Sequence, residues 1–109
     1  MKNQLTIAAF VALLVPFATH AQSMRSVLIA AETAFANQAA QAGASVAFLA
    51  NSAPTALVTD KGKLVNAQEW WKARPAQPGS RLTWYPALAD VAQSGDLGYT
   101  TGPWNLSQN

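Results

Sequence analysis

The sequence contains no cysteine, and its single histidine, His20, lies near the N-terminus. Without thiols the chain has neither disulfides nor thiolate metal ligands. A Cys-His nucleophile pair is excluded with them. If the N-terminal segment is removed, a Ser-His-Asp triad and an ordinary zinc site go too. No metal and no cofactor are therefore expected. Charge is also scarce: 11% of the residues are Asp, Glu, Lys or Arg, against 50% hydrophobic. That balance excludes the polar, highly charged composition of disordered chains. The net charge is only +2, and Lys61, Lys63, Lys72, Arg74 and Arg81 are scattered, which leaves no electrostatic footprint for nucleic acid. With 109 residues the chain makes at most one small domain.

What is present begins with an apolar N-terminal segment. Lys2 is followed by an uncharged run over residues 5–18, then by Thr19-His20-Ala21 at the positions a signal peptidase inspects. Residues 1–21 are expected to be a signal peptide, cut after Ala21. A membrane anchor needs about 20 apolar residues, and Pro16 interrupts this run early. With no cysteine behind it, a lipoprotein anchor is excluded. The mature chain, residues 22–109, is expected to be periplasmic or secreted, with no membrane association after cleavage.

Residues 23–42 have helical spacing, with Ser23 as cap and Leu28, Ala31, Phe35, Ala39 and Ala42 on one face. Gly43 ends this helix, and Ser45 is expected to cap a short second helix carrying Val46, Phe48 and Leu49. Residues 55–59 read as a strand, Asp60-Lys61-Gly62-Lys63 as a turn, and Leu64-Val65 as a brief return strand. Asn66 with Glu69 has capping-box spacing and opens a helix through Trp70, Trp71, Lys72 and Ala73, which Pro75 and Pro78-Gly79 stop. Residues 82–92 and 97–106 then form two β runs around a Ser94-Gly95-Asp96 turn. Pro86 has no ladder donor, so an edge or a bulge is expected there. Gly98 and Gly102 suit a curved sheet or a large neighbour.

This order of elements resembles the nuclear transport factor 2-like superfamily, which includes SnoaL-like and ketosteroid-isomerase-like proteins. The local words resemble one bacterial branch of it, known as domains of unknown function. They are Ala31-Glu32-Thr33-Ala34-Phe35-Ala36, Ala47-Phe48-Leu49-Ala50, Asn66-Ala67-Gln68-Glu69-Trp70-Trp71, and the stretch from Ser94 to Trp104. The resemblance implies an α+β fold, a cone-shaped, curved, mostly antiparallel sheet packed on three N-terminal-side helices around an apolar pocket. It also implies a small apolar ligand, and a homodimer formed through the open sheet face. Two departures stand out. Where relatives carry an acidic pair, this chain has Asn51-Ser52-Ala53-Pro54. Relatives also continue past the Pro103-Trp104 word through two more strands, so the sheet is expected to lack its last strands.

Fold alone selects no chemistry. Among the carboxylates, Asp60 belongs to a turn, Asp96 to a hairpin tip and Glu69 to a cap. Glu32, near Phe35, faces either pocket or solvent. Asp90 shares a strand face with Trp84 and Leu88 if the pleat is regular, and a carboxylate on such an apolar wall would have a raised pKa suited to acid–base work. A bulge at Pro86 would turn it outward, and the rarity of buried lone aspartates favours that alternative. Tyr99, like Tyr85, offers a phenol donor, so the catalytic candidates are Asp90, Glu32 and Tyr99. Trp70 and Trp84 are expected in the core, with Trp71 and Trp104 half-exposed. The ligand-binding candidates are Phe35, Trp70, Trp84, Tyr99 and Trp104. Three functions are open: an exported binding module or a non-functional truncated copy of one, an isomerase, lyase or hydratase of the same fold, and a structural dimerisation module.

Overall fold

The computed structural model describes residues 2–109, and the side chains of residue 20 and of residues 22–109. The side chains on which the signal-peptide expectation rests lie outside those described. The chain is α+β. Three helices, α1 (Lys2–Ala42), α2 (Ala44–Asn51) and α3 (Ala67–Lys72), accompany six short strands. These are β1 (Leu57–Asp60), β2 (Lys63–Asn66), β3 (Ser80–Trp84), β4 (Leu88–Val91), β5 (Gly98–Thr101) and β6 (Trp104–Gln108). They pair antiparallel as β1–β2, β3–β6 and β4–β5, and the sheets do not close into a barrel.

Helix α1 does not begin at Ser23, as its capping chemistry predicts, but passes through it unbroken. Its inward face is also rotated from the expected one. Ala31 and Ala42 are exposed, while Met24, Leu28, Glu32, Phe35, Ala36 and Ala39 turn inward. Those positions follow steps of three and four residues, the stripe a 3.6-residue period produces. Helix α2 has Gly43, not Ser45, at its N-cap and no side-chain cap bond. The Ser45 hydroxyl instead donates to the Trp71 carbonyl 3.3 Å away, tying α2 to α3. Asn51 Nδ2 donates to Gln38 Oε1 at 2.8 Å, which ties the end of α2 to α1.

The β1–β2 hairpin turns on Lys61 and Gly62, both at positive φ (51° and 79°), the two-residue type I′ geometry that matches strand twist. Asn66 then ends β2 and caps α3: its Oδ1 accepts from the Glu69 N–H at 3.0 Å, and its Nδ2 donates to the Pro54 carbonyl at 2.8 Å. One residue thus stops a strand, starts a helix and anchors the loop before β1.

The long hairpin of residues 80–108 is interrupted rather than continuous. Trp84 pairs with Trp104 and Leu88 with Thr101, so three residues, 85–87, oppose two, 102 and 103. This is a β-bulge at Pro86. The ladder fails there because neither Pro86 nor Pro103 has an N–H to give. It resumes where Ala87 N donates to Thr101 O at 2.9 Å. The extra residue reverses the pleat, so Trp84 turns inward before it and Ala89 and Val91 turn inward after it. The backbones approach so closely that a Cβ on Gly102 would fall on the Tyr85 carbonyl oxygen, and one on Gly98 would lie 2.9 Å from Leu28 Cδ2 of α1.

Alanine makes up the fully buried core among the described residues: Ala36, Ala39, Ala47, Ala67 and Ala89. Small side chains let α1, α2 and α3 approach closely. The large apolar side chains are half-buried or exposed, and Trp70 and Trp84, both expected in the core, are only half-buried. Every residue of β6 is exposed, and its partner in the ladder is β3. Among the described residues, no helix is long and apolar enough to cross a membrane.

Candidate functional site

Four of the half-buried aromatic residues, Phe35, Phe48, Trp71 and Trp84, converge on one cleft of about 750 Å³, open to solvent. Its floor comes from helices: Glu32 and Phe35 of α1, Phe48 of α2 and Trp71 of α3. Leu82 and Trp84 of β3 and Trp104 of β6 form one wall, and Val58 and Thr59 of β1 form the opposite rim. Glu32 and Phe35 reach the same side because three residues along a helix return to nearly the same face.

The rings pack in a chain. Phe48 stacks on Trp71, with centroids 4.4 Å apart and planes 18° apart. Phe35 stands edge-on to both Phe48 and Trp84, at 4.7 and 4.9 Å. Each such pair is worth roughly 0.5–1.5 kcal/mol beyond its buried area. Trp84 is fixed at its polar end too, where its Nε1 donates to Glu32 Oε1 at 2.7 Å. A distance this short is characteristic of a bond to a charged acceptor. The indole Nε1 of Trp71 is buried with no partner among the described residues.

Adjacent Trp residues on α3 point about 100° apart, so Trp70 has a different role from Trp71. It meets Trp71 edge-on, and the Arg74 guanidinium covers its ring 3.6 Å from the centroid. Arg74 is one helical turn on and also donates to the Trp70 carbonyl at 3.1 Å. Trp70 does not line the cleft.

Asp90 and Tyr99 are likewise outside the aromatic cleft. They flank a smaller concavity beside α1, where Arg25 Nη2 meets Asp90 Oδ1 at 3.1 Å. Asp90 is exposed, turned outward beyond the Pro86 bulge. Its pKa is not raised, as an apolar wall would make it, but lowered from the ordinary 3.8. The Val91 backbone N–H contributes most, and the Arg25 hydrogen bond adds to it. Both favour the carboxylate, so Asp90 is a permanent anion at neutral pH and not a poised acid.

The structure therefore gathers Phe35, Trp84, Trp104 and Glu32 into one site and leaves Trp70, Tyr99 and Asp90 out of it. It adds Phe48 and Trp71, which the sequence reading placed in helices without a site role. Trp71 lies four residues after Ala67 and so shares the inner face of α3, but that face is fixed by the burial of Ala67, which only the structure reveals. Chemically, the cleft offers, among the described residues, ring faces, one carboxylate and four hydroxyl-bearing side chains, Thr59, Tyr85, Thr100 and Thr101. It can hold an apolar, flat molecule and orient it through a few polar contacts. Compared with protein-family models, with curated proteins and with solved structures, the chain matches none.

Proposed function

We propose that the chain is an exported small-molecule binding domain of the nuclear transport factor 2-like superfamily, with its ligand in the aromatic cleft. The observation that carries this reading is the joining of six aromatic rings, five from three helices and two strands and Tyr85 from the bulge, around one opening of about 750 Å³. A cleft of this size suits a drug-sized apolar ligand. Large side chains that merely packed a core would be buried, whereas here alanine fills the core and the rings face the opening. In this reading β1–β2 and β3–β6 are two arcs of a cone-shaped wall. Residues 1–21 act as the export signal, and the mature protein is periplasmic or secreted.

A thermal-shift and Trp-fluorescence screen with hydrophobic ring compounds tests the binding. The expected result is a raised melting temperature together with changed indole emission, both lost in Trp71→Ala. If no ring compound moves either signal in the folded protein, the proposal fails. Mass spectrometry of exported protein, with the N-terminus found at Gln22, tests the signal peptide.

Glu32 supports a second reading, an acid–base enzyme of the same fold, because among the described residues it is the one carboxylate lining the cleft. Loss of turnover in Glu32→Gln, on a substrate found by the same screen, would favour it over simple binding.

A further inference from the structure

We propose that the cleft selects organic cations, apolar molecules bearing a quaternary ammonium head, over neutral molecules of the same shape. The inference rests on reading the cleft as a ligand site and adds the chemistry of what it takes. Among the described residues the cleft has one charged group, Glu32, and no lysine or arginine lines it. The two ion pairs of the described residues lie elsewhere, Arg25 with Asp90 and Arg74 with Asp60. The Glu32 charge thus has no cationic partner among the described residues. Its Oε1 accepts from Trp84 Nε1, and Oε2 has no hydrogen-bond partner there.

Beside it stands an uncovered ring. Trp104 lines the cleft, is 70% exposed, and is in none of the ring–ring pairs that hold the floor. It lies directly across the ladder from Trp84, the residue that holds Glu32. Opposed residues of an antiparallel pair put their side chains on the same face. An ammonium head against Trp104 therefore meets the negative face of an indole, the best ring for the purpose, with a carboxylate one residue away across the wall. An anion would be repelled by Glu32. A neutral ring gains from stacking alone.

The test uses the full 109-residue chain and two probes of equal shape, benzyltrimethylammonium and neopentylbenzene, with binding followed by calorimetry. The cation is expected to bind about tenfold tighter or more. That preference should fall to near unity in Glu32→Gln, which keeps an acceptor for Trp84 Nε1, and fall in Trp104→Leu, with far-UV circular dichroism confirming that both variants fold. Equal affinity of the two probes would overturn the cation inference and leave the apolar-ligand reading standing. Binding of neither probe would overturn the cation inference, while the apolar-ligand reading falls only if the wider ring-compound screen is also negative. A preference that survives in both variants would also overturn the assignment, because the selectivity would then come from other groups.

Discussion

The contact between Glu32 and Trp84 joins α1 to β3, and its strength can be measured by a double-mutant cycle of Glu32→Ala and Trp84→Phe. The bond is 2.7 Å long and both side chains are half-buried. A hydrogen bond to a charged group contributes about 1.5–3 kcal/mol when buried. Because the cleft is open, water replaces part of what is lost, so the coupling belongs near the low end, about 1–1.5 kcal/mol. Trp84→Phe alone should cost more than the coupling, since it also trims a ring that stands edge-on to Phe35 at 4.9 Å. In a domain of this size each kcal/mol lowers the melting temperature by about 4–8 °C. Urea unfolding followed by far-UV circular dichroism is the suitable assay, because deleting an indole would distort a fluorescence signal. A coupling energy below about 0.3 kcal/mol, within ordinary additivity, would refute the claim that this bond ties helix to sheet.

Other consequences are open to direct test. Gly102→Ala pushes a Cβ onto the Tyr85 carbonyl oxygen, and it should destabilise by about 2 kcal/mol or more, read from the urea midpoint. Asn66→Ala removes the α3 cap and the Pro54 tether together, so its cost should exceed the usual ~1 kcal/mol of a lost cap in the same assay. For Asp90 the sign is fixed by a folded pKa below the unfolded one. Its contribution is present above the ordinary 3.8 and is lost as pH falls through the lower folded value. A carboxyl NMR titration should place its midpoint below 3.8, and Arg25→Gln should raise it only part of the way, because the Val91 N–H remains. A midpoint above 3.8 in the unaltered chain would refute the assigned contacts.

Much of the fold was legible because single residues carry strong local signals. Asn66 marked both the end of β2 and the cap of α3. Lys61-Gly62 marked the hairpin turn, and Pro86 marked the bulge. The bulge in turn decided Asp90: one inserted residue reverses the pleat, and the carboxylate that a regular strand would place beside Trp84 faces outward instead. The site was less legible, because its members come from seven elements and meet only in three dimensions. Phe48 and Trp71 look like ordinary helix residues until α2 and α3 pack. Trp70 and Trp71 are indistinguishable by type, and only the helix orientation, which points Trp70 about 100° away to lie under Arg74, separates them. The Ser23 cap failed for a simpler reason. A hydroxyl can cap a helix only where the helix stops, and α1 continues through it.

The alanine core has a calorimetric consequence. Heat capacity rises on unfolding in proportion to the apolar surface newly wetted. Here the largest apolar side chains already border an open cleft, and the buried residues are among the smallest. Unfolding of the free chain should therefore fall short of the usual ~12–15 cal/mol/K per residue, giving a broad, shallow stability curve. A molecule that seats itself among the rings would restore the difference. Its binding should carry a large negative heat-capacity change, so that the calorimetric signature ordinarily produced by folding is divided between folding and ligand capture.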